Sequence, residues 1–373
     1  MRKILVVTQV NPFVPVGGTS VLLMNLLGNL NCSDWRVGYL GRFKVYNLNQ
    51  KFKNTKRLIP NYSIFQLFGY LSPAIKIRYA VWNTTRYVRK YKPDILIGVY
   101  PTIASIEVSL EVSKLTGIPL AVYLHDTLAE GLRHTAFRTR SIRIQNELFN
   151  HAQKIITISQ GMTEYYESKY NLKVYTLEHS YPEKINNTIK HNLNKEAFWG
   201  GEIYAINKQS FIRLASTLST LNFRINISSL SGNSEYIGVD TCKRFYPERS
   251  SYISALRSYD FLMLALDWPD ESKVSVAELS TIFPTKTIEY LASGTPIILH
   301  CPEEYYLSRF FKKNNCGTVI NSRKTDEMKM IIQEVLSSGE HIRIRQINAV
   351  KIAEEFGISK IQEKFDKILV SDG

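Results

Sequence analysis

The stretch Thr281–Ile298, TIFPTKTIEYLASGTPII, decides how the rest of the chain is read. Phe283-Pro284 predicts a helix start, because proline suits a first helical position, where a missing N–H costs nothing. Ile288, Leu291 and Ala292 fall at i, i+3, i+4 and form one inward stripe. Gly294 stops the helix, Pro296 prevents its restart, and Ile297-Ile298-Leu299 follows as a buried strand. Free N–H groups at such a start, with Lys286 in the first turn, favour an anion, and phosphate is the usual guest. Glu289, three residues on, falls on the same side and is placed to accept from a sugar hydroxyl. The same spacing also describes an ordinary α/β helix with a Lys–Glu pair, and the local pattern leaves both readings open.

Outward from this helix the chain alternates between strands and helices. Toward the N-terminus, Lys3–Thr8, 93–99, Pro119–Leu124, Ala152–Ser159 and Lys173–Leu177 read as strands separated by helices. Near-continuous apolar runs such as Ile95-Leu96-Ile97 belong to parallel sheets buried on both faces. A polar Lys/Asn-rich lapse follows Ser180-Tyr181-Pro182, and a second alternation begins near Gly200 with strand Glu202–Ala205 and helix Lys208–Leu221. The predicted class is α/β, with two Rossmann-like, doubly wound parallel-sheet domains facing across a cleft. Residues 1–182 form the first domain, 183–198 the linker, 199–355 the second domain, and 356–373 a helix returning to the first. At 373 residues the chain is long for one core, which favours two.

The helix at 283–293 resembles the donor-binding helix of GT-B glycosyltransferases. It is most similar to the retaining enzymes of glycosyltransferase family 4 whose motif reads Phe-Pro-x-Lys-x-x-Glu-Tyr-x-Ala-x-Gly-x-Pro. Phe283, Pro284, Lys286, Glu289, Tyr290, Ala292, Gly294 and Pro296 occupy those positions. The resemblance implies a nucleotide diphosphate at the helix start, bound by Phe283, Pro284, Thr285 and Lys286, with Glu289 on the ribose. Thr281 stands where the family commonly carries the glutamate that contacts the transferred sugar. Gly17-Gly18-Thr19 resembles the family's first-loop glycines that face the donor; alone, two glycines are also an ordinary turn. The family often grips the diphosphate with an arginine and a lysine. Lys208 matches the lysine, Glu202 stands near the arginine position, and Asn207 is an expected N-cap for the helix at 208.

His125 and Asp126 end a predicted strand, where ligands of doubly wound sheets gather, and the family carries a histidine there. His125 is the expected sugar or acceptor contact, and Asp126 the group that orients it or accepts the acceptor proton. His179 and His300 also follow strands and are read as structural. Arg133 and His134 are expected to meet an acceptor phosphate, or else to be plain surface.

The net charge of +14 is concentrated. Residues 1–92 hold 15 Lys/Arg against one acid, Asp34, while the remainder balances at 32 of each sign. Lys76–Lys92 mixes six basic residues with Tyr79, Trp82, Tyr87 and Tyr91, and Arg42–Arg57 and Arg133–Arg143 are also free of acids. A basic face with interfacial aromatics suits an anionic bilayer, and Trp82, Arg86 and Arg89 are the expected contacts. Nucleic acid is the rival, but no zinc-finger spacing, RNP-like motif or helix-turn-helix accompanies the charge, so none is expected as a partner.

Cys32, Cys242, Cys301 and Cys316 are scattered without zinc spacing and read as free thiols. The apolar run Ile4–Val7 is too short for a signal sequence, and no stretch reaches the roughly 20 apolar residues of a membrane span. No Asp-x-Asp occurs, and Lys286, Lys208 and helix starts can stabilise a departing diphosphate, so no metal is expected. Gly17-Gly18 is not Gly-x-Gly-x-x-Gly, so no NAD or FAD cofactor is expected. Without a Walker loop, Gly-x-Ser-x-Gly or His-Glu-x-x-His, the P-loop, serine-hydrolase and zincin readings have little support. The expectation is a cytosolic, membrane-peripheral glycosyltransferase. It would move a sugar from a nucleotide-diphosphate donor to a lipid-linked or saccharide acceptor for a surface polysaccharide. A sugar-nucleotide epimerase on the same fold, and a subunit that keeps the fold without the chemistry, are the alternatives.

Overall fold

Apolar runs flanked by amphipathic segments fold here as two sheets, each covered by helices. The computed structural model describes residues 2–9, 11–12, 18–28, 33–40, 55–58, 73–131, 138–181, 194–229, 241–244, 246 and 248–371. The chain divides into two compact units, residues 1–180 with 361–373, and residues 181–360.

The first unit runs β1 (Arg2–Thr8), α1 (Gly18–Leu27), β2 (Ser33–Tyr39), β3 (Thr55–Arg57), α2 (Pro73–Tyr91), β4 (Ile95–Tyr100), α3 (Ile103–Thr116), β5 (Leu120–Leu124), α4 (Arg138–His151), β6 (Lys154–Thr157), α5 (Gln160–Tyr170) and β7 (Val174–Thr176). Its seven strands lie in the order β3-β2-β1-β4-β5-β6-β7, all parallel. Every residue of β4 and β5 is buried, as helices on both faces require.

The second unit repeats the plan: β8 (Glu196–Gly200), α6 (Lys208–Thr220), β9 (Arg224–Ser228), β10 (Thr241–Lys243), α7 (Arg249–Leu256), β11 (Phe261–Ala265), α8 (Val276–Thr281), α9 (Lys286–Ser293), β12 (Ile297–His300), α10 (Tyr306–Asn314), β13 (Thr318–Ile320), α11 (Thr325–Ser337) and α12 (Gly339–Ala353). Its parallel sheet has the order β10-β9-β8-β11-β12-β13. In both sheets the strand order reverses about the unit's first strand, leaving a switch point beside β1 and beside β8. After a 3₁₀ turn, α13 (Ile358–Val370) buries Ile361, Phe365, Ile368 and Leu369 in the core of the first unit. Arg2 and Lys154 hold the carbonyls of Leu369 and Ser371, placing cations at the negative end of that helix.

Several elements differ from the sequence reading. The strand expected at Glu202–Ala205 lies at Glu196–Gly200, so it takes in the end of the segment read as a linker. Phe198 and Trp199 are fully buried, and Gly200-Gly201 ends the strand rather than preceding it. The helix expected from Phe283-Pro284 begins at Lys286, with Thr287 N–H bonded to the Pro284 carbonyl in a preceding turn. No helix among the described residues is long and apolar enough to cross a membrane.

Candidate functional site

In the second unit the site is built around one peptide group. Tyr290, fully buried on α9, accepts the Gly200 N–H on its hydroxyl at 2.7 Å. Lys286, one helical turn earlier, donates from Nζ to the Gly200 carbonyl at 3.0 Å. Its ammonium also sits 3.2 Å from the ring centroid of Trp199, a strong position for a cation on an indole face. Gly201 has φ +95°, which L side chains avoid, and donates to the Ser228 carbonyl. A Cβ on Gly200 would overlap the Tyr252 hydroxyl. The two glycines therefore let β8 turn under α9 at the carboxyl edge of the sheet, beside the switch point.

Lys286 keeps part of its side chain exposed, but its ammonium is enclosed, and burial drives its pKa well below the ordinary lysine value; Glu289 pulls the other way. No carboxylate among the described residues forms an ion pair with it. Glu289 is engaged instead by Arg249, whose Nη1 lies 2.7 Å from Oε1.

Other residues expected at this site are placed differently. Phe283 is buried against Tyr306, Phe310 and Phe356, so it anchors the loop from within the core. Pro284 and Thr285 are half-buried just ahead of α9. Thr281 closes α8 with its hydroxyl on the Ala277 carbonyl. Lys208 is exposed at the start of α6, but the N–H groups of Gln209 and Ser210 there are taken by Asp267. Asp267 is thus the cap expected of Asn207, which instead accepts from Tyr204 N–H. That helix start already holds an anion.

In the first unit, Gly18 and Thr19 open α1, and Gly17, Arg133 and His134 lie outside the described residues. Thr19 Oγ1 lies 3.2 Å from Nδ1 of His125, which follows β5. His125 Nε2 is buried with no hydrogen-bond partner, which suits a ligand hydroxyl. Burial, with His179 nearby, pushes the imidazole down to about 3, so it is neutral near pH 7. Burial raises the Asp126 carboxyl, which favours its holding a proton.

The loop after Asp126 is pinned by groups the sequence did not single out. Leu128 N–H donates to Tyr166, Ala129 N–H donates to Gln145, and Glu130 accepts from Gln145, Tyr166, Tyr170 and Lys169. On α2, Ala80, Thr84, Val88 and Tyr91 face inward at helical spacing. Trp82, Arg86 and Arg89 are exposed, with Arg86 stacked 4.8 Å over the Trp82 ring. Among the described residues no cluster of His, Cys, Asp or Glu is arranged to hold a metal ion.

Trp199 and Arg249 are the site residues that sequence reasoning missed. The signal for Trp199 was the Trp-Gly-Gly run, legible only once Gly200-Gly201 is taken to end a strand. Arg249 carried none, because its partner lies 40 residues along the chain.

Two doubly wound units on one chain give the GT-B fold. Residues 16–176 match the family Glycosyltransferase Family 4. HepE of Anabaena, solved with UDP, is 16% identical and superposes over 99% of both chains with a TM-score of 0.70. Sucrose-phosphate synthase of Thermosynechococcus elongatus is 13% identical over 99% of this chain and 98% of its own, also at 0.70. WaaG, a glycosyltransferase involved in lipopolysaccharide biosynthesis, is 12% identical over the whole of both chains at 0.63. No curated protein matches. The family match and the shared fold together support a glycosyltransferase.

Proposed function

We propose that this chain transfers a sugar from a nucleotide-diphosphate donor to a lipid-linked saccharide at the cytosolic face of a membrane, in the assembly of a surface polysaccharide. The observation that carries the donor half is Lys286: a cation seated on Trp199 and the Gly200 carbonyl at a helix start, with no ion-pair partner among the described residues. HepE was solved with UDP-glucose, so a UDP-sugar is the first donor to test. The anomeric C–O bond to the β-phosphate breaks as a bond to the acceptor oxygen forms. In a retaining reaction the departing phosphate takes the acceptor proton on the same face. Lys286 and the α9 amides stabilise that leaving charge, so the reaction needs no metal. His125, through its unpartnered Nε2, holds a sugar or acceptor hydroxyl, and Asp126 orients the acceptor.

The acceptor half rests on α2, which turns Trp82, Arg86 and Arg89 outward in the basic segment. Each cation near an anionic bilayer contributes about 1 kcal/mol. Radiolabelled UDP-sugars incubated with the full chain and membrane lipids, with and without chelator, test the whole reading. Label should enter lipid at equal rates in both, and Lys286→Met should reduce it at least about tenfold. A changed sugar with unlabelled lipid would indicate epimerisation instead. Sedimentation with anionic liposomes should weaken steeply with salt; binding that ignores salt would remove the docking proposal.

A further inference from the structure

Glu289 poses an electrostatic problem for an anion site. It lies on α9 three residues after Lys286, near enough to act on that charge. A carboxylate so placed suits a sugar hydroxyl but repels a diphosphate, because unlike solvent the surrounding protein screens it poorly. The neighbouring helix supplies the remedy. Arg249, the first residue of α7, places Nη1 2.7 Å from Glu289 Oε1. Tyr252, also on α7, hydrogen-bonds the same carboxylate and packs its hydroxyl against Gly200, the glycine whose carbonyl Lys286 holds. One turn of α7 therefore braces both Glu289 and the strand end beneath Lys286.

The two partners differ in accessibility. The Glu289 side chain is 12% exposed and that of Arg249 is 33% exposed, so the guanidinium is the outer member of the pair. A guanidinium is a rigid planar fork, and one bond to a fixed carboxylate sets the direction of the whole group. When a bound phosphate holds Lys286 protonated, Lys286, Arg249 and Glu289 together leave a net positive charge; without Arg249, Lys286 and Glu289 cancel.

We propose that Arg249 is a diphosphate-binding residue of the donor site, aimed by Glu289 and acting as the second cation beside Lys286. This rests on the nucleotide-sugar reading given above. Glu289 then has two tasks, accepting from the sugar hydroxyl and orienting the guanidinium that offsets its own charge.

The test is calorimetric titration of the full chain and of Arg249→Gln with UDP, GDP and ADP, and with the matching nucleosides in competition. Glutamine keeps a donor for Glu289 but not the charge. The diphosphate that the wild type binds should weaken about ten- to a hundredfold in the variant, as for loss of one charged hydrogen bond, while the nucleoside changes little. The slope of affinity against salt should also flatten, and Arg249→Lys should restore part of it. Equal losses for diphosphate and nucleoside would overturn the proposal, since Arg249 would then act only through Glu289. Unchanged affinity for both would overturn it as well. A wild type that binds none of these compounds would instead remove the nucleotide reading itself.

Discussion

Lys286 shows how much of a site one residue can carry. Its charged form is disfavoured by burial, and the aromatic face and carbonyl that seat it offset only part of that cost. A bound phosphate favours the ammonium, so its pKa must rise on binding. Affinity is then full below the pKa of the free state and falls as pH rises through that of the bound state, with proton uptake between. Calorimetry of UDP binding in buffers of different ionisation enthalpy should reveal that uptake, and Lys286→Met should abolish it. The histidines behave oppositely toward stability. His125 at about 3 and His300 at about 4 lie below the ordinary 6.5, so the unfolded chain binds more protons between those limits. Each therefore contributes stability that is complete above pH 6.5 and is lost as pH falls, at most about 1.4 kcal/mol per unit. Urea unfolding of wild type and His125→Asn at pH 7 and pH 5 should show the smaller drop in the variant. The position of Lys286 at a helix start was legible from spacing, but the Trp199 beneath it was not, because it arrives from β8, far away in sequence.

At the scale of elements, periodicity located most of the strands and helices, and the errors have physical causes. β8 was displaced because Gly200-Gly201 resembles the start of a turn-bounded strand, whereas its glycines serve packing and positive φ at the strand's end. The start of α9 was set early because Pro284 satisfies the rule for a first helical residue while lying in the preceding turn. β3 and β10, Thr-Lys-Arg and Thr-Cys-Lys, are mostly polar and offer no apolar run to read. The role of β8 makes a sharp prediction. Gly201→Ala forces a side chain into positive φ, and should cost about 1–2 kcal/mol. Gly200→Ala collides with Tyr252 and should cost about 1–3 kcal/mol, while moving the carbonyl that holds Lys286. Thermal unfolding gives the stability loss, and UDP titration should show the second variant weakened beyond it.

For the whole molecule, the first unit is assembled from both ends of the described chain. Four buried apolar residues of α13 belong to its core, and Arg2 and Lys154 fasten the last turn. Full burial of each such side chain stabilises by about 1.5–3 kcal/mol. Removing residues 358–373 should therefore unfold the first unit at lower denaturant, while the second, whose core lacks those residues, keeps its own transition. Urea titrations followed by hydrogen exchange in each unit distinguish the two. A single shifted transition for both would show that they unfold together.

The return of α13 also sets an order of events during synthesis. Domains generally fold as they leave the ribosome, the earliest first. Here the seat for Ile361 and Phe365 stays empty until all of residues 181–360 have been made. The later-made unit can complete itself first, and the earlier one waits with an open apolar groove. That interval is when a chaperone has most to protect, and translation that stalls before residue 361 leaves a chain fit for degradation.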